Sequence, residues 1–224
     1  MVQMEVKLID SMGSDLSVVN AARVSFAKQK EVMDESDEKL IRYLATHNHF
    51  TPFTHATITL FIKAPIFVAR QLGKHQVGLS WNEVSRRYVD DEPTFFSPDH
   101  WRGRPTNGAK QGSSEEVIST ILFEGIVETW ETPTDQIYWD AVDGCLRVYQ
   151  SMIKSGVSPE QARMVLPQSM YTQWYWTGSL MAFSRVCNLR LDPHAQKETQ
   201  QVAQLISDII QPLFPVSWKE LINV

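Results

Sequence analysis

The sequence predicts a single α+β domain in which helices flank a small, mainly antiparallel sheet. Residues 54–63 (THATITLFIK) alternate apolar and polar side chains with the period of a half-buried strand. The N-terminal residues 1–10 alternate in the same way, which is typical of an edge strand and not of a signal peptide. The rest of the chain is rich in helical patterns, and neither an internal repeat nor a linker divides its 224 residues.

The amino-acid composition is that of an ordinary folded protein, and it argues against several classes of protein. No apolar run reaches the ~18 residues of a membrane-spanning helix. The formal net charge of −5 argues against a broad nucleic-acid-binding surface, because such surfaces are basic. Cys145 and Cys187 are too few for a disulfide framework or a zinc site. We therefore expect a location in the reducing cytoplasm.

Three helices are expected in the first third of the chain. Residues 16–27 predict a short one, and residues 37–47 predict a longer one with Ser36 as its N-cap and acidic residues in its first turn. Pro65 predicts the start of the third, because proline is favoured at the first helical position.

The end of the third helix carries polar groups. If that helix persists, Gln71, Lys74 and His75 lie on one face. This face leads into residues 74–88 (KHQVGLSWNEVSRRY), where Arg86 and Arg87 add cations that could bind a phosphate bidentately. The alternatives are a solvated helix face and ion pairs with the surplus carboxylates.

The second half of the sequence predicts one long loop followed by several helices. Residues 91–115 are rich in Pro, Gly and Ser, and loops of that length are uncommon unless they are functional or disordered. Gly156 is expected to end a long amphipathic helix, and Ser158, Pro159 and Gln161 form a capping-box pattern for the next one. The helices predicted here lie at 135–154, 158–166, 171–187 and 193–210, the last beginning at Asp192–Pro193.

Two further stretches admit a functional and an ordinary interpretation. His47, His49 and His55 could bind a metal through their imidazoles, although no carboxylate accompanies them and ordinary polar contacts are the commoner role. Arg190, close to a helix N-terminus expected at Pro193, could bind an anion or could pair with Asp192.

The aromatic side chains of residues 173–177 (QWYWT) also admit a functional and an ordinary interpretation. They could stack on a bound ring system, but aromatic residues in an apolar helix usually belong to the core. We therefore expect core packing there.

Taken together, the chain resembles the flavin-dependent thymidylate synthases. The resemblance rests on six blocks that occur in order: AARVSF (21–26), TPFTH (51–55), KAPIFVARQ (63–71), NEVSRRY (82–88), ARMVLP (162–167) and NLRLDPHAQ (188–196). The hallmark of that family is Arg-His-Arg followed, after seven residues, by a serine. Several matching blocks in the family's order are specific evidence for the resemblance, whereas any one block alone is weak evidence.

The chain departs from the family pattern at defined positions. Arg-His-Arg reads Lys74-His75-Gln76 here, with one extra residue before Ser85. A flavin-contacting Asn-x-Arg reads Ser179-Leu180-Met181, and a nearby asparagine is Arg185. We interpret Arg185 as compensation for the charge missing at Gln76 and Met181. A divergent lineage such as a phage, with the protein in the host cytoplasm, would suit this variant hallmark.

The resemblance implies reductive methylation of dUMP to dTMP. Methylenetetrahydrofolate supplies the carbon, and FAD, reduced by NADPH, supplies the hydride. It also implies a homotetramer whose active sites are shared between subunits, with no nucleic-acid or membrane partner. The alternatives are a flavin- and nucleotide-binding relative without methylation activity, and a metal-dependent hydrolase using the three histidines.

The resemblance also assigns the site residues. It implies that dUMP is held by Gln71, Lys74, Glu83, Ser85, Arg86, Arg87, Arg163 and Arg190. It implies that FAD is contacted by Ser25, Thr51, Lys74, His75, Gln76, Glu83, Ser179, Arg185 and His194. The expected catalytic group is Arg190, Ser85 and His49, with Arg190 stabilising charge on the pyrimidine, Ser85 donating its hydroxyl and His49 positioning substrate.

The expected chemistry depends on charge and not on a thiol. Cys145 and Cys187 lie in apolar helical segments, so we expect both to be buried structural thiols. Arg190 is too basic to accept the proton itself, so its expected role is to stabilise an anion spread over N3 and O2 of the ring. The 91–115 loop is expected to cover the site.

Overall fold

The computed structural model describes residues 3–105, 112–124 and 129–223. The strands are β1 (Glu5–Met12), β2 (Thr57–Pro65), β3 (Leu79–Glu83), β4 (Thr120–Glu124), β5 (Thr129–Pro133) and β6 (Tyr171–Ser179). The α-helices are α1 (Asp15–Arg23), α2 (Glu35–Thr46), α3 (Ile66–Leu72), α4 (Thr134–Lys154), α5 (Pro159–Ala162), α6 (Leu180–Arg190), α7 (Lys197–Ile210) and α8 (Pro215–Leu221). Helices combined with antiparallel strand pairs confirm the predicted α+β class. Within these residues, no helix has both the length and the apolar character needed to cross a membrane.

Two compact units divide the described residues. One contains Met4–Ala64, Val68–Glu83 and Gln173–Val224, and the other consists chiefly of Pro65–Phe67 and Val84–Thr172. The first unit holds the main sheet and most of the helices. The second holds α4, α5 and a hairpin of β4 and β5 that the sequence did not predict.

The main sheet has four strands in the order β1-β2-β6-β3. Strand β1 lies at the edge, as predicted, and runs antiparallel to β2. The alternation predicted in β2 is confirmed, because Ile58, Leu60 and Ile62 are fully buried. The strand begins at Thr57 and not at residue 54, because Thr51–Thr54 forms a 3-10 helix before it.

The helix predicted at 171–187 is wrong for its first nine residues. Residues Tyr171–Ser179 form strand β6, and only the part from Leu180 onward is helical. The cause is the period-two burial of the strand, in which Trp174 and Trp176 point into the core while Tyr175 is half exposed. The prediction that the tryptophans are core residues is confirmed.

Three predicted helix starts are also displaced. Asp34, not Ser36, caps α2, and its carboxylate accepts the Ser36 backbone N–H at 2.8 Å. Pro65 ends β2, so α3 begins one residue later than predicted. Helix α7 begins at Lys197 and not at Pro193, because the intervening residues form turns, with the His194 N–H bound to the Asp192 carboxylate at 2.7 Å.

Other boundaries agree with the sequence. Helix α1 is followed by a 3-10 turn at Val24–Phe26, which accounts for the helix predicted at 16–27. Helix α4 ends before Gly156, whose φ of +85° closes a Schellman motif. The Gly156 N–H binds the Ile153 carbonyl and the Val157 N–H binds the Met152 carbonyl, each at 3.0 Å. Ser158 precedes α5 as predicted, but its side chain makes no capping bond. Residues 91–105 and 112–115 are irregular apart from two isolated bridges; the remainder of the predicted 91–115 loop lies outside the described residues.

Candidate functional site

Arg190, the last residue of α6, is held by Gln71 from the last turn of α3 and by His75 from the turn that follows it. Its Nε donates a hydrogen bond to His75 Nε2 at 3.0 Å, and a terminal nitrogen donates to the Gln71 carbonyl oxygen at 3.2 Å. The ion pair with Asp192 that the sequence left open is not formed; Asp192 instead accepts from His194. The structure therefore brings together three of the predicted site residues.

The turn after α3 places His75 against Arg190. Helix α3 ends at Leu72, so the single helical face predicted for Gln71, Lys74 and His75 does not form. The backbone N–H of His75 instead bonds to the Leu72 carbonyl at 3.0 Å, which turns the chain tightly. His75 is half-buried, whereas Lys74 and Gln76 on either side are exposed.

Gln71 is fixed by side chains from the start of α7. Its amide nitrogen donates to Gln196, and its amide oxygen accepts from the Thr199 hydroxyl at 3.2 Å. Gln196 in turn donates to Glu198 at 2.9 Å, and both Thr199 and Glu198 are buried. The side-chain amide of Gln71 is therefore engaged inside the protein, and its backbone carbonyl oxygen is the group that accepts the hydrogen bond from Arg190.

The start of α6 is positioned by close packing of the end of β6 against Gly78 and Leu79, where β3 begins. Ser179 caps α6 by accepting the Ala182 N–H at 3.2 Å, and its own N–H binds the Gly78 carbonyl at 3.2 Å. A side chain on Gly178 would come within 2.3 Å of Leu79 and 2.9 Å of the Gly78 carbonyl. Ser179 is therefore a buried cap, and its hydroxyl is committed to the helix.

Glu83, at the end of β3, is oriented by an aromatic stack. The Trp81 indole N–H donates to the Glu83 carboxylate at 3.1 Å. Trp81 itself stacks on the buried Trp174, with 4.3 Å between ring centroids. The buried Trp174 therefore fixes the position of Trp81, and Trp81 in turn fixes the Glu83 carboxylate.

The end of α2 presents His49 and Phe50 through a Schellman motif. Asn48 has a φ of +56°, a conformation that asparagine tolerates better than most residues. The His49 N–H binds the Leu44 carbonyl at 2.8 Å and the Asn48 N–H binds Ala45 at 3.1 Å, which completes the motif. His49 is exposed, 5.8 Å from the Tyr43 ring, and Phe50 lies under the Arg185 guanidinium at 5.7 Å.

A cavity of about 520 Å³ opens between this turn, α6 and the C-terminal segment. Arg185 and Lys219 line it as cations, while Glu220 in its wall is paired with Arg42 at 3.1 Å. Asn188 ties the C-terminal segment to α6 by donating to the Leu221 carbonyl at 2.8 Å. The cavity is lined mainly by polar atoms and carries a surplus of positive charge, with Phe50 as an aromatic side chain in its wall.

The second unit carries the remaining cations. Arg163 and Arg87 are exposed; Arg163 donates to the Glu160 carbonyl at 3.3 Å, and Arg87 bonds to the Tyr88 hydroxyl. Arg86 is mostly buried and pairs with Asp91, donating to its backbone oxygen at 2.6 Å. The ion-pair alternative therefore applies to Arg86. Its half-buried neighbour Ser85 accepts a weak bond from the Arg87 N–H at 3.3 Å.

The other predicted flavin residues lie at exposed positions of the first unit. Ser25 is in the 3-10 turn after α1, and Thr51 begins the 3-10 helix before β2. His194 is exposed and pairs with Asp192 at 3.0 Å. Within the described residues, no group of three His, Cys, Asp or Glu side chains could hold a metal ion, so His47, His49 and His55 do not form a cluster.

The two cysteines differ in burial. Cys187 has no exposed surface, and its thiol points at the Ala203 carbonyl at 3.6 Å. Burial raises the pKa of the Cys187 thiol far above its ordinary value, so the thiol stays protonated at neutral pH. Cys145 in α4 is only half-buried, less than the sequence predicted.

Comparison with known proteins decides the family. A family model described as "Thymidylate synthase complementing protein" matches residues 7–216. A flavin-dependent thymidylate synthase from Thermosipho melanesiensis is 37% identical over 217 residues, covering 97% of this chain and 90% of that relative. The chain belongs to the flavin-dependent thymidylate synthase family. A second such enzyme, from Thermus thermophilus, is 35% identical over 213 residues, covering 95% of this chain and 73% of that relative.

Solved structures give the same assignment. The UMP/dUMP methylase PolB from Streptomyces cacaoi, bound with 5-Br dUMP, superposes with a TM-score of 0.81 at 32% identity, covering 98% of this chain and 95% of that one. Its structure bound with 5-Br UMP gives 0.79 at 29% identity, covering 100% and 98%. The family resemblance inferred from six sequence blocks is therefore confirmed.

Several residues that shape this family member's site were missed at the sequence level. Gln196 and Thr199 hold Gln71, Trp81 holds Glu83, and Asn188 and Lys219 border the cavity. Gln196 and Asn188 lie inside the matched block NLRLDPHAQ, and that position was the available signal. Nothing in the local pattern of Trp81 or Lys219 distinguishes either from a core or a surface residue.

Proposed function

We propose that this chain is a thymidylate synthase that converts dUMP to dTMP. Methylenetetrahydrofolate is the carbon donor and NADPH is the source of electrons for FAD. The observation that carries the proposal is membership of the flavin-dependent family over residues 7–216. We further propose that residues 1–224 act as a single domain in a homotetramer with shared active sites.

Arg190 is the group that activates the pyrimidine. Two of its five N–H groups bind His75 and Gln71, which leaves three for the ring. Burial lowers the pKa of Arg190, but a guanidinium remains charged at neutral pH. Its charge beside N3 and O2 stabilises the ring anion and raises electron density at C5. Loss of such a donor costs about 3 kcal/mol, or roughly a hundredfold in rate.

Cysteine addition to the ring is not part of this reaction. Cys187 is enclosed in the core beside Ala203 and cannot reach a substrate without unfolding α6. Cys145 lies within α4. Among the described residues, no base or cation is within hydrogen-bonding distance of its sulfur. Neither thiol has the electropositive, accessible surroundings of a nucleophile.

The nucleotide phosphate is bound by Arg87 and Arg163. Both side chains are exposed, and guanidinium groups bind phosphate oxygens bidentately. Ser85 donates its hydroxyl to the nucleotide, and His49 positions the substrate. Arg86 supports this loop from within through Asp91. Lys74 and Glu83 complete the nucleotide contacts. Gln71, whose side-chain amide is bound to Gln196 and Thr199, acts on the nucleotide by holding Arg190 through its backbone carbonyl.

The cavity beside α6 fits part of a flavin dinucleotide. Its volume of about 520 Å³ lies in the usual range for ligand sites, and its aromatic and cationic walls suit a nucleotide with a pyrophosphate. When bound, FAD supplies the hydride for the reaction. Arg185 lies over Phe50 and provides the positive charge that Gln76 and Met181 lack. Ser25, Thr51, His75, Ser179 and His194 are the other residues proposed to border the flavin.

The charge compensation can be tested by flavin binding alone. Arg185→Asn should weaken flavin binding about tenfold or more, and adding Met181→Arg should restore it by returning the family pattern. The dissociation constant is measured by flavin fluorescence. Unchanged binding by Arg185→Asn would refute the compensation.

The function itself is tested with the purified chain. A yellow, metal-free protein with a flavin absorption band that forms dTMP from dUMP, methylenetetrahydrofolate and NADPH supports the proposal. A flavoprotein that oxidises its flavin but forms no dTMP would be a relative without methylation activity. A colourless protein containing metal would contradict the proposal outright.

A further inference from the structure

Within the triplet Lys74-His75-Gln76, His75 is the residue that keeps the family identity, and it is also the one that faces inward. Lys74 and Gln76 are exposed and make no side-chain hydrogen bond within the described part of the chain. His75 is half-buried and accepts from Arg190 at 3.0 Å. Within this triplet, His75 is thus the residue whose side chain is bound inside the protein.

The contact requires one form of the imidazole. Arg190 Nε can only donate, so His75 Nε2 must accept, and the ring hydrogen must therefore lie on Nδ1. Together with the bond to the Gln71 carbonyl, this fixes the guanidinium through two of its three nitrogens. Gln71 is itself held by Gln196 and Thr199, so the carbonyl has little freedom.

We propose that His75 is the positioning residue that aims the Arg190 guanidinium at the pyrimidine ring, acting as a neutral acceptor with its hydrogen on Nδ1. The inference rests on the proposed function, in which Arg190 stabilises the ring anion. It assigns His75 a role toward Arg190 that is separate from any contact with flavin.

Acid should release this arrangement. Protonated His75 offers no acceptor and places a second cation beside Arg190. Burial and the Arg190 charge lower the pKa of His75 below its ordinary value. Arg190 from α6 is the charged group that faces the imidazole, and α3 contributes the neutral Gln71 carbonyl. The positioning therefore persists at neutral pH and is lost only as pH falls through the lowered pKa.

The test measures ionisation of a bound nucleotide without turnover. Bromine withdraws electrons from the ring, so 5-Br-dUMP loses its N3 proton more readily than dUMP, and the change is visible in the ultraviolet. In the wild-type protein, the pH of this ionisation should be lower for bound than for free nucleotide. Arg190→Ala should abolish that shift, and His75→Ala should remove at least half of it.

A matched substitution separates positioning from bulk. His75→Gln places an amide oxygen near the Nε2 position and should keep most of the shift. It should lower kcat less than His75→Ala does, and it should remove the acid limb of the pH profile. His75→Ala should lower kcat by about 10- to 100-fold, by analogy with the loss of a hydrogen-bond partner that orients a metal-binding side chain. The exposed His55→Gln serves as the control that changes neither quantity.

Each outcome decides a different point. If Arg190→Ala loses the shift and His75→Ala keeps it, the positioning role is wrong while the proposed function stands. If wild type and Arg190→Ala ionise the nucleotide alike, the proposed role of Arg190 fails. Nitrogen NMR of the unaltered protein with dUMP gives a check that needs no variant. A hydrogen on Nδ1 of His75 is expected, and a hydrogen on Nε2 would overturn the inference.

Discussion

Asp37 anchors the segment that carries Ser25, and removing its charge should destabilise the chain strongly. Its carboxylate has no exposed surface. One oxygen accepts from Arg23 Nε at 3.1 Å and from its terminal nitrogen at 2.5 Å. The other accepts from Lys30 at 2.7 Å and from the Asp34 N–H at 3.0 Å. Arg23 ends α1, immediately before the 3-10 turn that contains Ser25.

Asp37→Asn leaves Arg23 without its counter-charge, leaves Lys30 paired with Asp34 alone, and turns one acceptor into a donor that faces a cation. Breaking a buried pair by removing one partner costs about 3–5 kcal/mol. For a chain of this size, each kcal/mol lowers the melting temperature by about 2–4 °C, so the expected drop is roughly 6–20 °C.

The same cluster predicts acid sensitivity. Burial raises the pKa of Asp37, but hydrogen bonds from Lys30 and Arg23 outweigh it and leave that pKa below its ordinary value. A carboxylate with a lowered folded-state pKa contributes stability above its unfolded value of about 3.9, and this contribution is lost as pH falls through the folded-state pKa. The free energy of unfolding should therefore drop below about pH 4 in the wild type and less steeply in Asp37→Asn.

Urea denaturation at pH 7 and at several lower pH values measures both effects. Asp140→Asn, an exposed carboxylate of α4, is the matched control and should unfold like the wild type. An Asp37→Asn variant within 1 kcal/mol of the wild type would refute the assignment of Asp37 as a buried anchor.

The remaining predictions concern packing and ligand binding. Gly178→Ala should lose about 1–3 kcal/mol, because its new Cβ meets Leu79 and the Gly78 carbonyl; unchanged urea unfolding would contradict this. Asp15 accepts the Val216 and Ser217 N–H groups at 2.9 Å each, so Asp15→Ala should cost about 2–3 kcal/mol. Asp15→Asn should cost less, and equal losses would argue against a charge-assisted cap. Arg163→Ala should weaken dUMP binding about tenfold or more but leave deoxyuridine binding unchanged in calorimetry; equal weakening of both would remove the phosphate role.

Local patterns predicted the elements whose period and caps agree. Strand β2 shows clean alternation, and the end of α4 at Gly156 follows from glycine in the left-handed conformation. Strand β6 was missed because Tyr171–Ser179 runs directly into the apolar α6, so one long apolar segment concealed the change of period at Leu180. Propensity favoured the strand, since Tyr, Trp and Thr are good strand formers.

The site was predictable as a set of residues but not as a set of contacts. Matching blocks identified Arg190, His75 and Gln71 individually. Their hydrogen bonds join residues 115 and 119 positions apart, and these pairings depend on how α3 ends and on where α6 begins. For the same reason, the sequence could not decide between phosphate binding and ion pairing for Arg86, which pairs with Asp91.

The most direct measurement of the central claim compares two variants in one dTMP-formation assay, each first shown to be folded and to retain flavin. The Cys145→Ser, Cys187→Ser double variant should keep turnover within a few-fold of the wild type, because neither thiol takes part. Arg190→Ala should fall by roughly a hundredfold or more. Retained turnover in Arg190→Ala, or its loss in the folded double-cysteine variant, would contradict activation of the pyrimidine by charge.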